Sequence, residues 1–125
     1  MTETPPHPES DETIGEQLTG WGKVVRIETR GRTSGRTAAA AVGYVEEPDG
    51  ALLVAAGSHD ADWARNLIAD PACRVILGEQ AFDAVAELLE GPDFQRAIRE
   101  LILRYGTPSE RLGHGPAFRL RAAAP

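Results

Sequence analysis

Two runs of β-forming or small residues, Val24 to Thr29 and Thr37 to Val45, flank the seven-residue stretch Arg30-Gly31-Arg32-Thr33-Ser34-Gly35-Arg36. Its two glycines permit the positive φ and close backbone approach that a tight turn needs, so the stretch predicts a hairpin. The arrangement recurs at Ala72–Leu77 and Gln80–Leu89, which meet across Gly78-Glu79, a Gly-X hairpin signal. Runs paired with their sequence neighbours, with no βαβ series between them, argue against a doubly wound parallel sheet.

The remaining elements follow from local signals. Glu46-Glu47-Pro48-Asp49-Gly50 reads as a turn and Ala51 to Ala56 as a buried strand. Gly57-Ser58-His59-Asp60 is a loop. Asp62 to Ala69 is a short helix with Trp63 and Leu67 on one face, ended by Asp70-Pro71, because a residue before proline avoids the helical region. Gly91-Pro92 opens a second helix, whose Phe94, Ala97, Ile98, Leu101, Ile102 and Tyr105 form one apolar face. Gly106 and Pro108 stop it, and Ala117 to Arg121 is the last strand. Ala38-Ala39-Ala40-Ala41 favours helix on propensity. The run continues into Val42-Gly43-Tyr44-Val45 between turn signals, so Thr37 to Glu46 is read as one strand. The order β-β-β-α-β-β-α-β predicts a small, mostly antiparallel barrel with helices packed on it.

At 125 residues the chain is sized for one domain. Residues 1–13, rich in Pro, Glu, Thr and Ser, read as a mobile tail, leaving 14–125 as the domain. Ile14 to Leu18 adds a helical turn, and Trp21 between two glycines reads as a packing anchor. The net charge of −6 argues against a nucleic-acid partner. The charge is uneven: residues 1–22 carry five acidic side chains and no Lys or Arg, whereas 23–36 carry five basic ones against Glu28. A basic patch in an acidic protein suits a small anionic ligand better than a polymer. Cys73 is the only cysteine, there is no apolar run of membrane-spanning length, and no secretory signal is visible. The expected location is cytoplasmic.

The basic turn offers planar arginine forks, hydroxyls and backbone amides, a set able to hold phosphate or carboxylate. A solvated hairpin turn is the plain alternative. The small residues of the alanine run either pack tightly on a helix or leave room for a flat ring. His7, His59 and His114 show no metal-ligand spacing, so no metal site is expected. Cys73 reads as structural, and Glu46-Glu47 and Glu87/Glu90 as solvated surface. No nucleophile elbow, P-loop or dinucleotide fingerprint is present, so if the chain is an enzyme an organic cofactor carries the chemistry.

The segments Thr29-Arg30-Gly31-Arg32-Thr33-Ser34-Gly35-Arg36, Val42-Gly43-Tyr44-Val45 and Asp62-Trp63-Ala64-Arg65-Asn66-Leu67-Ile68-Ala69-Asp70-Pro71 occur in that order. Together they resemble the deazaflavin-dependent nitroreductases, a family within the split β-barrel flavin/deazaflavin oxidoreductases, whose members show T-x-G-R-x-S-G-x-x-R, G-Y-V and W-Y-x-N-L-x-A-N-P. The resemblance runs from about Val24 to the end of the chain. It implies an α+β, mainly β fold: a split, FMN-binding-like barrel of six mostly antiparallel strands with two or three short helices. It also implies coenzyme F-420, the anionic 8-hydroxy-5-deazaflavin, with FMN as the alternative cofactor. Reduced deazaflavin would pass a hydride to a small apolar acceptor: a quinone, a nitro compound or an activated alkene.

By the same resemblance Arg32, Thr33 and Ser34, with Gly35 and Arg36, meet the phosphate side of the cofactor. Ala55, Ala56, Gly57 and Ser58 line it, and Trp63 and Asn66 stand beside it. Tyr105 is the candidate catalytic residue, as hydrogen-bond or proton donor to substrate. Ala38, Ala41 and Ala64 replace the family's arginine, proline and tyrosine, which leaves open a non-catalytic barrel binding a lipid-like or other apolar ligand. Exposed sheet edges make a homodimer an expectation. An alanine at Arg32 is expected to weaken cofactor binding with little effect on folding.

Overall fold

The computed structural model describes residues 24–105 and 113–123. The expected tail over 1–13, the turn at Ile14 to Leu18, the anchor Trp21 and the helix stop at Gly106 and Pro108 lie outside the described residues. The elements run β1 (Val25–Arg30), β2 (Thr37–Val42), β3 (Val45–Glu46), β4 (Leu52–Ala55), α1 (Asp62–Ala69), β5 (Ala72–Leu77), β6 (Gln80–Leu88), α2 (Gly91–Tyr105) and β7 (Ala117–Ala122).

The strands form a single sheet in the order β2-β1-β5-β6-β7-β4-β3, and every neighbouring pair is antiparallel. Its edge strands, β2 and β3, are separated in the chain only by Gly43 and Tyr44. Laid flat, seven strands would hold their outer members about 29 Å apart at roughly 4.8 Å per step. The chain from Val42 to Val45 spans at most about 11 Å. The sheet therefore curls until its edges approach, giving a half-barrel with a seam at Gly43-Tyr44.

That seam divides a run expected as one strand. A Cβ on Gly43 would lie 3.0 Å from the Tyr105 ring, so the ring occupies the space a side chain would take. The Tyr44 amide donates to the Tyr105 hydroxyl at 2.9 Å, and that hydroxyl donates to the Tyr44 carbonyl at 3.0 Å. Tyr105 thus takes up both backbone groups of the seam residue. The alanine run stays extended because β1 pairs it residue by residue, from Thr29↔Ala38 to Arg26↔Ala41. Ladder formation overrides intrinsic helix preference here.

Ile27, Leu52, Val54, Val75, Phe118 and Leu120 fill the concave side, where α1 adds Ala64 and Leu67. On the convex side Leu53, Ala55 and Ala117 pack under Ala97 and Leu101 of α2. Strand β4 is therefore buried on both faces, which explains its unbroken apolar sequence. Leu52 and Leu53 point opposite ways and are both inaccessible, each burial contributing roughly 1.5–3 kcal/mol. Cys73 is buried, and burial followed by the Asp83 charge pushes its thiol up to about 11.

Glu47 does not behave as solvated surface. Its carboxylate accepts from Arg96 of α2 at 2.6 Å and from Arg119 of β7 at 2.7 Å, with its side chain only 12% exposed. Arg119 also reaches Glu87 at 3.3 Å. The cluster fastens α2 beside the sheet where the apolar contact ends.

Candidate functional site

The basic turn closes on itself before it meets anything else. The Gly31 amide donates to the Arg36 carbonyl at 2.7 Å, and the Gly35 amide to the Gly31 carbonyl at 2.8 Å. Gly35 has φ 73°, in the left-handed region that favours glycine. A Cβ on Gly31 would lie 2.7 Å from Ser34 Oγ. That hydroxyl accepts the Arg36 amide at 3.1 Å, capping the turn.

Helix α1 then holds the turn. Asp62 and Asn66 are four residues apart and so share a helix face. Asn66, 2% exposed, is the hub. Its Oδ1 accepts the Arg32 amide at 3.1 Å and Arg32 Nη1 at 2.8 Å, while its Nδ2 donates to Thr29 Oγ1 at 3.0 Å. Asp62 Oδ1 accepts Arg32 Nη2 at 3.1 Å. Arg32 is therefore a clamp between turn and helix, with its side chain 27% exposed. An alanine at Arg32 would therefore remove contacts to both Asn66 and Asp62, in addition to any ligand contact.

Between turn and helix lies an open cleft of about 260 Å³, lined by Gly31, Arg32, Thr33, Ser34, Ala38, Asp62 and Asn66. No protein acceptor engages the Thr33 or Ser34 amide among the described residues. The residues around the cleft thus carry two amides with no protein acceptor, two hydroxyls and one guanidinium, groups of the kind that bind phosphate. Its volume lies at the lower end of small-molecule pockets, roughly 300–1,000 Å³, and is ample for a phosphate group.

Of the residues expected at the site, Arg32, Thr33, Ser34 and Asn66 meet around this cleft. Gly35 borders a separate hollow with Arg30, Cys73 and Asp83. Arg36 is exposed beside the turn. Ala55 lies under α2 and Ala56 in the barrel interior, where its amide donates to the Pro116 carbonyl at 2.9 Å. Gly57 and Ser58 are exposed just before α1, and Ser58 Oγ accepts the Asp60 amide at 2.9 Å. Trp63 is half-buried against Phe118, ring centroids 5.8 Å apart. Tyr105 stands at the seam on Tyr44.

Three participants escaped the sequence reading. Asp62 and Thr29 act through Arg32 and Asn66, and only the i, i+4 spacing of Asp62 and Asn66 hinted at the first. Gly115 is the third: a Cβ there would lie 2.5 Å from the Ser58 carbonyl oxygen and 2.8 Å from that of Ala56. The Gly57-Ser58 loop therefore rests on bare backbone. Among the described residues no group of three His, Cys, Asp or Glu side chains is placed to hold a metal ion, and no helix is long and apolar enough to cross a membrane.

A curled antiparallel sheet with two packed helices and a seam between its edges places the molecule in the split-barrel class. Solved structures similar to it include the heme storage protein HutZ from Vibrio cholerae, 22% identical over 92% of each chain, with TM-score 0.67. An F-420-H(2) dependent reductase, FDR-A, is 23% identical over 79% of this chain and 94% of that one, with TM-score 0.66. A putative pyridoxamine 5'-phosphate oxidase from Listeria innocua is 11% identical over 92% of this chain and 94% of that one, with TM-score 0.61. Identities this low establish the fold alone. No curated protein matches the sequence. The model of the F-420H(2)-dependent quinone reductase family matches residues 3–109, and the chain belongs to that family.

Proposed function

We propose that the protein is a coenzyme F-420-dependent reductase that delivers a hydride to a small apolar acceptor: a quinone, a nitro compound or an activated alkene. Family membership supports the cofactor. The observation that carries the reading is the cleft between the basic turn and α1, which brings Arg32, Thr33 and Ser34 together in an otherwise acidic protein.

In this reading Arg32, Thr33 and Ser34 hold the phosphodiester, with Gly35 supplying the bend. Arg36 and Arg30, exposed and unpaired among the described residues, attract the anionic tail. Asn66 keeps the turn seated on α1. Gly57, Ser58 and Trp63, with the backbone of Ala55 and Ala56, form the wall on the side where α1 begins. When bound, the reduced deazaflavin supplies the hydride, and the protein orients donor and acceptor and excludes water. The Tyr105 hydroxyl is engaged with Tyr44, so its assigned part is to shape the seam, and proton donation to substrate would require it to leave that partner.

A second reading is a non-catalytic barrel that takes an apolar ligand. It is favoured by a hollow of about 360 Å³ on α2, lined by Phe94, Gln95, Ile98, Arg99, Ile102 and Leu103. FMN in the turn cleft is the alternative for the cofactor.

Titration with oxidised and reduced coenzyme F-420 and with FMN, followed by tryptophan fluorescence, separates these readings. We expect F-420 to bind at or below about tens of micromolar, near −6 to −7 kcal/mol, and a quinone to be reduced on its addition. No binding in that range defeats the proposal. Binding without turnover of any acceptor class would make the protein a carrier.

A further inference from the structure

We infer that Asp62 sets the charge that the cleft accepts, favouring a singly charged phosphodiester over a doubly charged phosphomonoester. The inference rests on reading the cleft as the cofactor's phosphate site. Of the seven residues lining it, only Arg32 and Asp62 are charged, so its formal charge sums to zero. The carboxylate lies 3.1 Å from Arg32 Nη2, and Nη1 is held by Asn66 Oδ1 at 2.8 Å. Buried Asn66 therefore fixes the guanidinium in a position where its outer nitrogen already has an anionic partner.

An entering phosphate either displaces the Asp62 carboxylate from Nη2 or binds beside it. Asp62 is the first residue of α1, so its backbone cannot withdraw, and the carboxylate stays close in both cases. Each negative charge on the ligand then meets the same repulsion. A phosphomonoester brings about −1.5 to −2 at neutral pH. A phosphodiester brings one charge, because its second acidic oxygen is esterified. The Asp62 side chain is 82% exposed, so solvent reduces the penalty to about twofold in affinity per ligand charge, within the range of exposed pairs. Asp62 also suits the positive end of its helix. That role alone predicts a small loss of stability and no discrimination among ligands.

The test uses three ligands with one ring: riboflavin, FMN and the monomethyl phosphodiester of FMN. Each is titrated into the full chain and into its Asp62→Asn and Asp62→Glu variants at low salt. We expect Asp62→Asn to tighten FMN about three- to fourfold and the diester about twofold, leaving riboflavin unchanged. Asp62→Glu keeps the parent order. Equal changes for FMN and the diester, or no change for either, overturn the inference. If coenzyme F-420 still binds the parent in that event, the reductase assignment stands and only the role of Asp62 falls. A parent that binds neither F-420 nor a phosphorylated flavin removes both.

Discussion

The Tyr105 hydroxyl exchanges hydrogen bonds with both backbone groups of Tyr44, accepting from its amide at 2.9 Å and donating to its carbonyl at 3.0 Å. Arg104 Nε donates to the same oxygen at 3.1 Å, so the one proton and two lone pairs of the hydroxyl are all in use. Tyr105→Phe keeps the ring that packs on Gly43 and removes the hydroxyl with these bonds. We expect a loss of about 2 kcal/mol, because two backbone groups at the seam lose their partner together. Urea denaturation followed by tryptophan fluorescence measures it.

Asn66 joins β1, the turn and α1 through one amide. Asn66→Leu preserves size and strands the Arg32 amide and the Thr29 hydroxyl. The expected cost is about 1–3 kcal/mol, with faster hydrogen exchange across Gly31 to Arg36. Arg32→Ala should cost about 1 kcal/mol, since it breaks contacts to both Asn66 and Asp62. Exchange rates that match the parent in both variants would show that the turn holds its shape unaided.

Glu47 makes stability depend on acid. Burial raises its pKa, but hydrogen bonds from Arg119 and Arg96 and their charges outweigh burial, and the net shift is downward. The folded state therefore releases this proton more readily than the unfolded one. The stabilisation is complete above the unfolded value, ordinarily about 4.3, and is lost as pH falls through the lower folded value. Denaturation midpoints should hold steady from neutrality to about pH 5 and decline below it. Glu47→Gln should cost about 1–2 kcal/mol at neutral pH, between exposed and fully buried pairs, and flatten that acid decline.

Gly115→Ala tests the support under the Gly57-Ser58 loop. The added methyl would meet two backbone carbonyls at 2.5 and 2.8 Å, and backbone cannot step aside as a side-chain tip can. We expect a loss of about 1–3 kcal/mol and a weaker affinity for coenzyme F-420. Unchanged melting would mean that the loop stands off Gly115 in solution.

The hairpins were legible because Gly31, Gly35 and Gly78 carry their turn chemistry within a few residues. Helix α2 was legible because its apolar face repeats from Phe94 to Tyr105. The break at Gly43-Tyr44 was not, since its cause lies 61 residues along the chain at Tyr105. Glu47 was misjudged for the same reason: Arg119 is 72 residues away, and the acidic stretch around Glu47 looks hydrophilic in isolation. At the cleft, the motif pointed to Arg32, Thr33, Ser34 and Asn66. It could not show that Arg32 is already engaged, because that follows from how the turn docks on α1. The opposing charge of Asp62 became visible only with that docking.

The seam gives the molecule one hinge line and one latch. Edges that meet across two residues cannot part while the end of α2 grips the peptide between them. Lifting that helix would leave β2 and β3 as the loose borders of a ribbon free to unroll. Amide exchange at Tyr44 should therefore keep time with the undocking of a helix to which it does not belong.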